Sequence, residues 1–147
     1  MKLSTKGRYT TKAIVDLALN YTKGPAMLRE IAERQGISQR YLGQLIIPLT
    51  DAGLVRGIRG RRGGFILAKP PEQITLSEVI CISEGKISFE ECVDKPEICG
   101  KSDSCVIRDI WSETMEAVDK VLNSTTLQDL IDRQTGKETA CPRQSQR

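Results

Sequence analysis

The stretch from Ala26 to Ala68 leaves this chain few folds to choose from, because two short helical patterns run through a glycine turn into a pair of short strands. Met27 to Gly36 reads as a helix. Leu28, Ile31 and Ala32 recur three and four residues apart to make one apolar face, and Gly36 ends it. Small Ala32 lets a second helix cross closely. Ser38 is a good N-cap for that helix, whose inward stripe is Leu42, Leu45 and Leu49. The outward N-terminal end then presents Gln39, Arg40, Tyr41 and Gln44, where a recognition helix offers side chains to base edges.

The following residues sharpen that expectation. Leu54 to Ile58 reads as a strand, Arg59-Gly60-Arg61-Arg62-Gly63-Gly64 as a turn, and Phe65 to Ala68 as the return strand. A hairpin tipped by Arg59, Arg61 and Arg62, directly after a recognition helix, has the character of a DNA-binding wing, and arginine is favoured in narrow minor grooves. Helical pairs with glycine turns are common, and basic turns are often merely solvated. Here pair, spacing and wing occur in the order a winged helix requires.

Charge is distributed to match. The net charge of the 147 residues is only +3, but residues 1–70 carry +9 and residues 71–147 carry −6. The basic half is suited to double-stranded DNA, with binding that falls steeply with salt, and the acidic half to another task. No apolar run is long enough to span a membrane, and the N-terminus lacks a secretory signal, so the chain is expected in the cytoplasm with no membrane partner. Its five cysteines are therefore read as thiols or metal ligands before disulfides. The absence of histidine removes the commonest general base.

In chain order, Ser4 opens a helix of about fifteen residues with an apolar face of Tyr9, Ala13, Ile14, Leu17, Ala18 and Tyr21. Lys2, Lys6, Arg8 and Lys12 lie at its start, within reach of phosphates. Pro70-Pro71 marks a boundary, and Thr75-Leu76-Ser77-Glu78 looks like a capping box opening a helix to about Glu84. Val106 to about Leu122 is the longest periodic segment, with Val106, Ile107, Ile110, Trp111, Met115, Val118, Val121 and Leu122 at helical spacing. Its apolar stripe is too wide for a small winged domain to cover, which predicts packing against a second copy. A short helix from Ser124 to Ile131 and a disordered tail from Gln134 to Arg147 complete the chain. The fold expected is mainly α with a small β hairpin: a winged helix-turn-helix over 1–70, a cysteine loop and dimerisation helix over 71–133, and the tail 134–147.

Cys92, Cys99 and Cys105 lie in a polar loop, separated by six and five residues. Soft thiolates suit iron–sulfur clusters and zinc. Structural zinc usually uses closer ligand pairs, so the spacing leans toward a cluster wrapped by a loop. Cys81, within an apolar helix, reads as core, and Cys141 as a bystander in the tail.

The opening Met1 to Tyr9, the run Ile31 to Ser38, the tract Gly53-Leu54-Val55, the segment Arg59-Gly60 through Gly63-Gly64-Phe65 and the cysteine triad together resemble the Rrf-two family of bacterial winged-helix transcription regulators, in particular its IscR-type iron–sulfur cluster branch. The likeness covers about residues 1–133. It implies a homodimer that binds operator DNA, controls cluster-biogenesis genes and carries a [2Fe-2S] cluster on Cys92, Cys99 and Cys105, with cluster-delivery proteins as further partners. It also implies that Ser38, Arg40, Tyr41, Gln44 and Arg59 lie on the DNA.

There are departures from the family pattern. Arg108 stands where that branch has a histidine ligand, and Arg8 where a nitric-oxide-sensing branch has an aspartate. The fourth ligand is then a carboxylate (Glu90, Glu91, Asp103 and Asp109 are nearest), another cysteine, a small molecule or water. Gly43 replaces an acidic residue of the recognition helix, which predicts a broader range of tolerated sequences. The competing readings are a nitric-oxide or redox-sensing repressor and a zinc-stabilised DNA-binding module without sensing. An enzyme is not expected, since no histidine can pair with a cysteine and no phosphate loop is present.

Overall fold

A computed structural model of the chain describes residues 2–140. Helix α1 spans Thr5–Leu19, α2 Leu28–Gln35 and α3 Gln39–Asp51, followed by strands β1 (Val55–Ile58) and β2 (Gly64–Leu67). Helix α4 is Leu76–Glu84, α5 the single turn Glu91–Asp94, α6 Val106–Ser124 and α7 Leu127–Ala140. The fold is a winged helix-turn-helix, mostly helical with one two-stranded antiparallel sheet.

Local chemistry sets most of these boundaries. Ser4 caps α1 by accepting from the Gly7 amide at 3.0 Å. Gly36 closes α2 in the left-handed conformation, and Ser38 caps α3 by accepting from the Tyr41 amide at 3.2 Å. The capping box at Thr75 forms as the sequence predicts: the Thr75 amide donates to the Glu78 carboxylate at 2.8 Å, and the Glu78 amide to the Thr75 hydroxyl at 3.2 Å. Thr126 and Asp129 repeat the device at the start of α7.

The core lies where α1, α2 and α3 meet: Ala13, Ile14 and Leu17 of α1 against Ile31 of α2 and Leu42, Ile46 and Leu49 of α3, all buried. Leu54, Val55 and Leu67 extend it under the wing, and Ile74, Val79 and Leu127 continue it into the second half of the chain. Helix α7 is brought back beside α1 by a bridge between Thr75 and Thr126 and by the Leu127 amide donating to the Ile74 carbonyl at 2.9 Å.

Three expectations need correction. Tyr21 does not complete the inner face of α1, because that helix stops at Leu19 and Tyr21 sits exposed in the following turn. Cys81 is exposed rather than core, since α4 buries Val79, Ile80 and Ser83 and turns Cys81 outward. Where a disordered tail is expected from Gln134, α7 continues to Ala140, supported by contacts one turn apart such as Gln134 donating to Glu138 at 3.0 Å. The remainder of that tail, with Cys141, lies outside the described residues.

Candidate nucleic-acid interface and cysteine loop

The exposed N-terminal end of α3 carries Ser38, Gln39, Arg40 and Gln44 on the surface, with Tyr41 half-buried. Leu42, Leu45, Ile46 and Leu49 face inward, so burial on one side of the helix selects which side chains remain outside. Tyr41 is steadied by an edge-on contact with Tyr9 of α1, ring centres 6.0 Å apart. The cations of Arg8 and Lys12 lie 5.9 and 5.7 Å from the Tyr9 ring centre, so the basic start of α1 and the start of α3 meet on one aromatic side chain.

The wing is short and tight. Val55 pairs with Leu67 and Ile58 with Gly64, leaving Arg59, Arg61 and Arg62 exposed around the tip. Gly64 has φ +147°, and a Cβ there would come within 2.4 Å of the Ala26 carbonyl oxygen. That close approach exists because Ala26 and Phe65 exchange backbone hydrogen bonds of 3.0 and 2.8 Å, which anchors the wing to the segment just before α2. Gly64 thus serves the wing's own anchoring, and the arginines of the tip stay exposed.

Two features escape a reading of periodicity alone. Asp16 is buried on α1 and accepts from Arg34 Nε and a terminal guanidinium nitrogen at 2.9 and 2.7 Å, and from Gln35 Nε2 at 2.9 Å. This clamp holds the end of α2, and hence the turn into α3, against α1, and its hydrogen bond raises the Arg34 pKa above its ordinary value. The sequence signal was an acid one residue before Leu17 on the inward face of α1. Glu84, at the end of α4, accepts from the Ser4 hydroxyl and from its amide. A Cβ on Gly7 would overlap the Glu84 carboxylate, so Gly7 leaves room for that contact.

The cysteine loop is built from short turns. Cys92 lies in α5, Cys99 ends the turn Pro96–Ile98, and Cys105 is the residue immediately before α6. Cys92 and Cys105 are half-buried, Cys99 is exposed, and all three are free thiols. Lys86 pairs with Asp94, which raises the lysine pKa and lowers that of the carboxylate. Phe89 stacks on Trp111 of α6 with ring centres 5.6 Å apart, and Arg108 Nε donates to the Cys92 carbonyl at 2.9 Å. In donor chemistry the triad fits an iron–sulfur cluster: three accessible thiols in one short loop. As folded, the loop does not gather them, for among the described residues no three Cys, Asp or Glu side chains form a metal-holding group. Arg108 is turned to a main-chain carbonyl.

Helix α6 leaves an apolar face open. Val106, Ile107, Ile110 and Val121 are 73, 61, 55 and 62 % exposed, while Met115 alone in the helix is buried. Beside it, Leu76 and Ile80 of α4 with Val118 and Leu122 of α6 line an apolar groove of about 410 Å³.

The family profile described as Rrf2, iron-dependent transcriptional regulator, matches residues 3–133. The chain belongs to the Rrf2 family. It is 40 % identical over 140 residues to the HTH-type transcriptional regulator CymR of Bacillus subtilis, covering 95 % of this chain and 96 % of that one. To the regulator IscR of Serratia proteamaculans it is 38 % identical over 134 residues, covering 91 % of this chain and 81 % of that protein. The solved structure of T. potens IscR superposes with a TM-score of 0.76 at 37 % identity, covering 99 % of this chain and 94 % of that one. This Rrf2 chain is accordingly a DNA-binding regulator of transcription. No helix among its described residues is long and apolar enough to cross a membrane.

Proposed function

We propose that the chain is a cytoplasmic homodimeric regulator that senses iron–sulfur cluster status through Cys92, Cys99 and Cys105 and controls cluster-biogenesis genes. The observation that carries this reading is the free cysteine triad running directly into α6, at Cys105. Residues 1–70 would read operator DNA through Ser38, Gln39, Arg40, Tyr41, Gln44, Arg59, Arg61 and Arg62. Residues 71–133 would hold the sensor and the dimer contact. The open face of α6, with the apolar groove beside it, supports pairing with a second copy.

When bound, a [2Fe-2S] cluster supplies a centre labile to oxidants and gases. The three thiolates would hold it once the loop gathers them, with an oxygen donor such as Glu90, Glu91, Asp103 or Asp109 completing the set. Oxygen is a weaker donor to iron than thiolate, so loss in air faster than from an all-thiolate protein is expected. Rearrangement of the loop moves the first turn of α6. Half-site engagement needs recognition helices about 34 Å apart, so a change of angle between protomers alters affinity. Ten-fold regulation requires a coupling of only about 1.4 kcal/mol.

The deciding experiment is iron, zinc and acid-labile sulfide per chain on anaerobically purified protein, with its visible spectrum. Equal iron and sulfide, with charge-transfer bands lost in Cys92→Ala, supports the cluster sensor. Zinc without sulfide leaves a DNA-binding dimer of another kind. One observation favours a second reading, direct thiol oxidation or reaction with nitric oxide: Cys99 is exposed and free.

A further inference from the structure

The loop that carries Cys92 is tied to the long helix at two adjacent places on its first turns. Arg108 Nε donates to the Cys92 carbonyl at 2.9 Å, and Trp111 stacks on Phe89, three residues before Cys92. Both helical partners lie within the first six residues of α6, and they are half-buried while Val106, Ile107 and Ile110 around them are exposed. On its other side the same segment is tied back toward α4 by the Lys86–Asp94 pair. Arg108 cannot serve as a ligand, because a guanidinium has no lone pair to give. Its Nε has instead a defined acceptor, on the main chain of a proposed ligand residue.

We propose that Arg108 is a positioning residue, whose guanidinium holds the main chain of Cys92 to the first turns of α6 so that movement of that cysteine is delivered to the helix. The inference rests on the cluster-sensor reading for what moves the cysteine, but the tie itself stands on this contact. The link between loop and helix runs through a main-chain carbonyl.

Side-chain geometry permits a strict test. Glutamine places its amide nitrogen four bonds from Cα, where arginine has Nε, and methionine places a methyl carbon there. Arg108→Gln therefore keeps the donor without the charge, and Arg108→Met keeps the shape without the donor. In α5 the Val93 amide donates to the Glu90 carbonyl at 3.1 Å and the Lys95 amide to the Glu91 carbonyl at 2.8 Å. Amide hydrogen exchange of the full-length, cluster-free chain is expected to be about ten-fold faster at these two amides in Arg108→Met, the size of one hydrogen bond. It should remain close to wild type in Arg108→Gln, with the Leu127 amide at the start of α7, which donates to the Ile74 carbonyl, as an unchanged control in both. Equal exchange in all three proteins, or equal acceleration in both variants, would overturn the proposal. Iron and sulfide retained after anaerobic reconstitution provide a separate reading: lower retention in Arg108→Met than in Arg108→Gln is expected. A wild type that takes up neither would sink the cluster reading and leave the exchange result standing.

Discussion

At Gly64 the wing shows how one side chain, or its absence, decides a contact surface. The backbone of β2 approaches Ala26 so closely that a methyl group would overlap its carbonyl, in a conformation that L residues rarely adopt. Gly64→Ala is expected to lower stability by about 1–3 kcal/mol, read by thermal unfolding, and to weaken DNA binding because the wing loses its anchor. Arg59→Ala acts differently. It leaves stability alone and lowers the slope of log affinity against log salt by about one, as expected for one lost phosphate contact. Asp16→Ala removes the acceptor shared by Arg34 and Gln35, with an expected cost of about 2–3 kcal/mol by denaturant titration, since hydrogen bonds to charged groups are among the stronger ones. A cost near zero there would mean that α2 is held by apolar packing alone.

The helices differ in what holds their ends. The start of helix α7 is held by Asp129 in its first turn, whose carboxylate accepts from the Thr126 amide at 2.8 Å and from its hydroxyl at 3.0 Å. The backbone bond, then the hydroxyl, holds the Asp129 pKa below its ordinary value of 3.8. A carboxylate depressed in this way contributes stability above its unfolded pKa and loses that contribution as pH falls through the lower folded value. Acid melting of wild type should therefore include a component below pH 3.8 that Asp129→Asn lacks, visible as a flatter acid limb in thermal melts. Helix α6 packs one side on α4 and the cysteine loop and leaves Val106, Ile107, Ile110 and Val121 exposed. Ile110→Glu is expected to shift the protein toward monomer in sedimentation while far-ultraviolet circular dichroism stays unchanged, because Ile110 supports no intrachain core.

The whole molecule divides its charge: residues 1–70, with α1 to α3 and the wing, carry the excess of cations, and the acidic half contains the cysteine loop and α6. The two halves are nevertheless bolted to one core, for Val79 of α4 and Leu127 of α7 are buried in the same cluster as Ile14 and Leu42. Glu84, at the foot of the cysteine loop, also reaches the start of α1. Movement in the second half can thus reach the winged helix-turn-helix through packed helices.

The sequence alone determined what depends on neighbours in the chain. The glycine between α2 and α3, the caps at Ser38 and Thr75, the arginines of the wing tip and the helical stripe from Val106 were legible because turns, caps and periodicity are local physics. The gathering of three cysteines into one short stretch of sequence was legible by the same token. Only the tertiary structure decided which groups meet across distance. It set Asp16 against Arg34, Glu84 against Ser4 and Arg108 against the carbonyl of Cys92, and it turned Cys81 out to solvent. Each of these depends on the angle at which one helix crosses another. That angle is fixed by the packing of the whole core and leaves no periodic trace in any single segment.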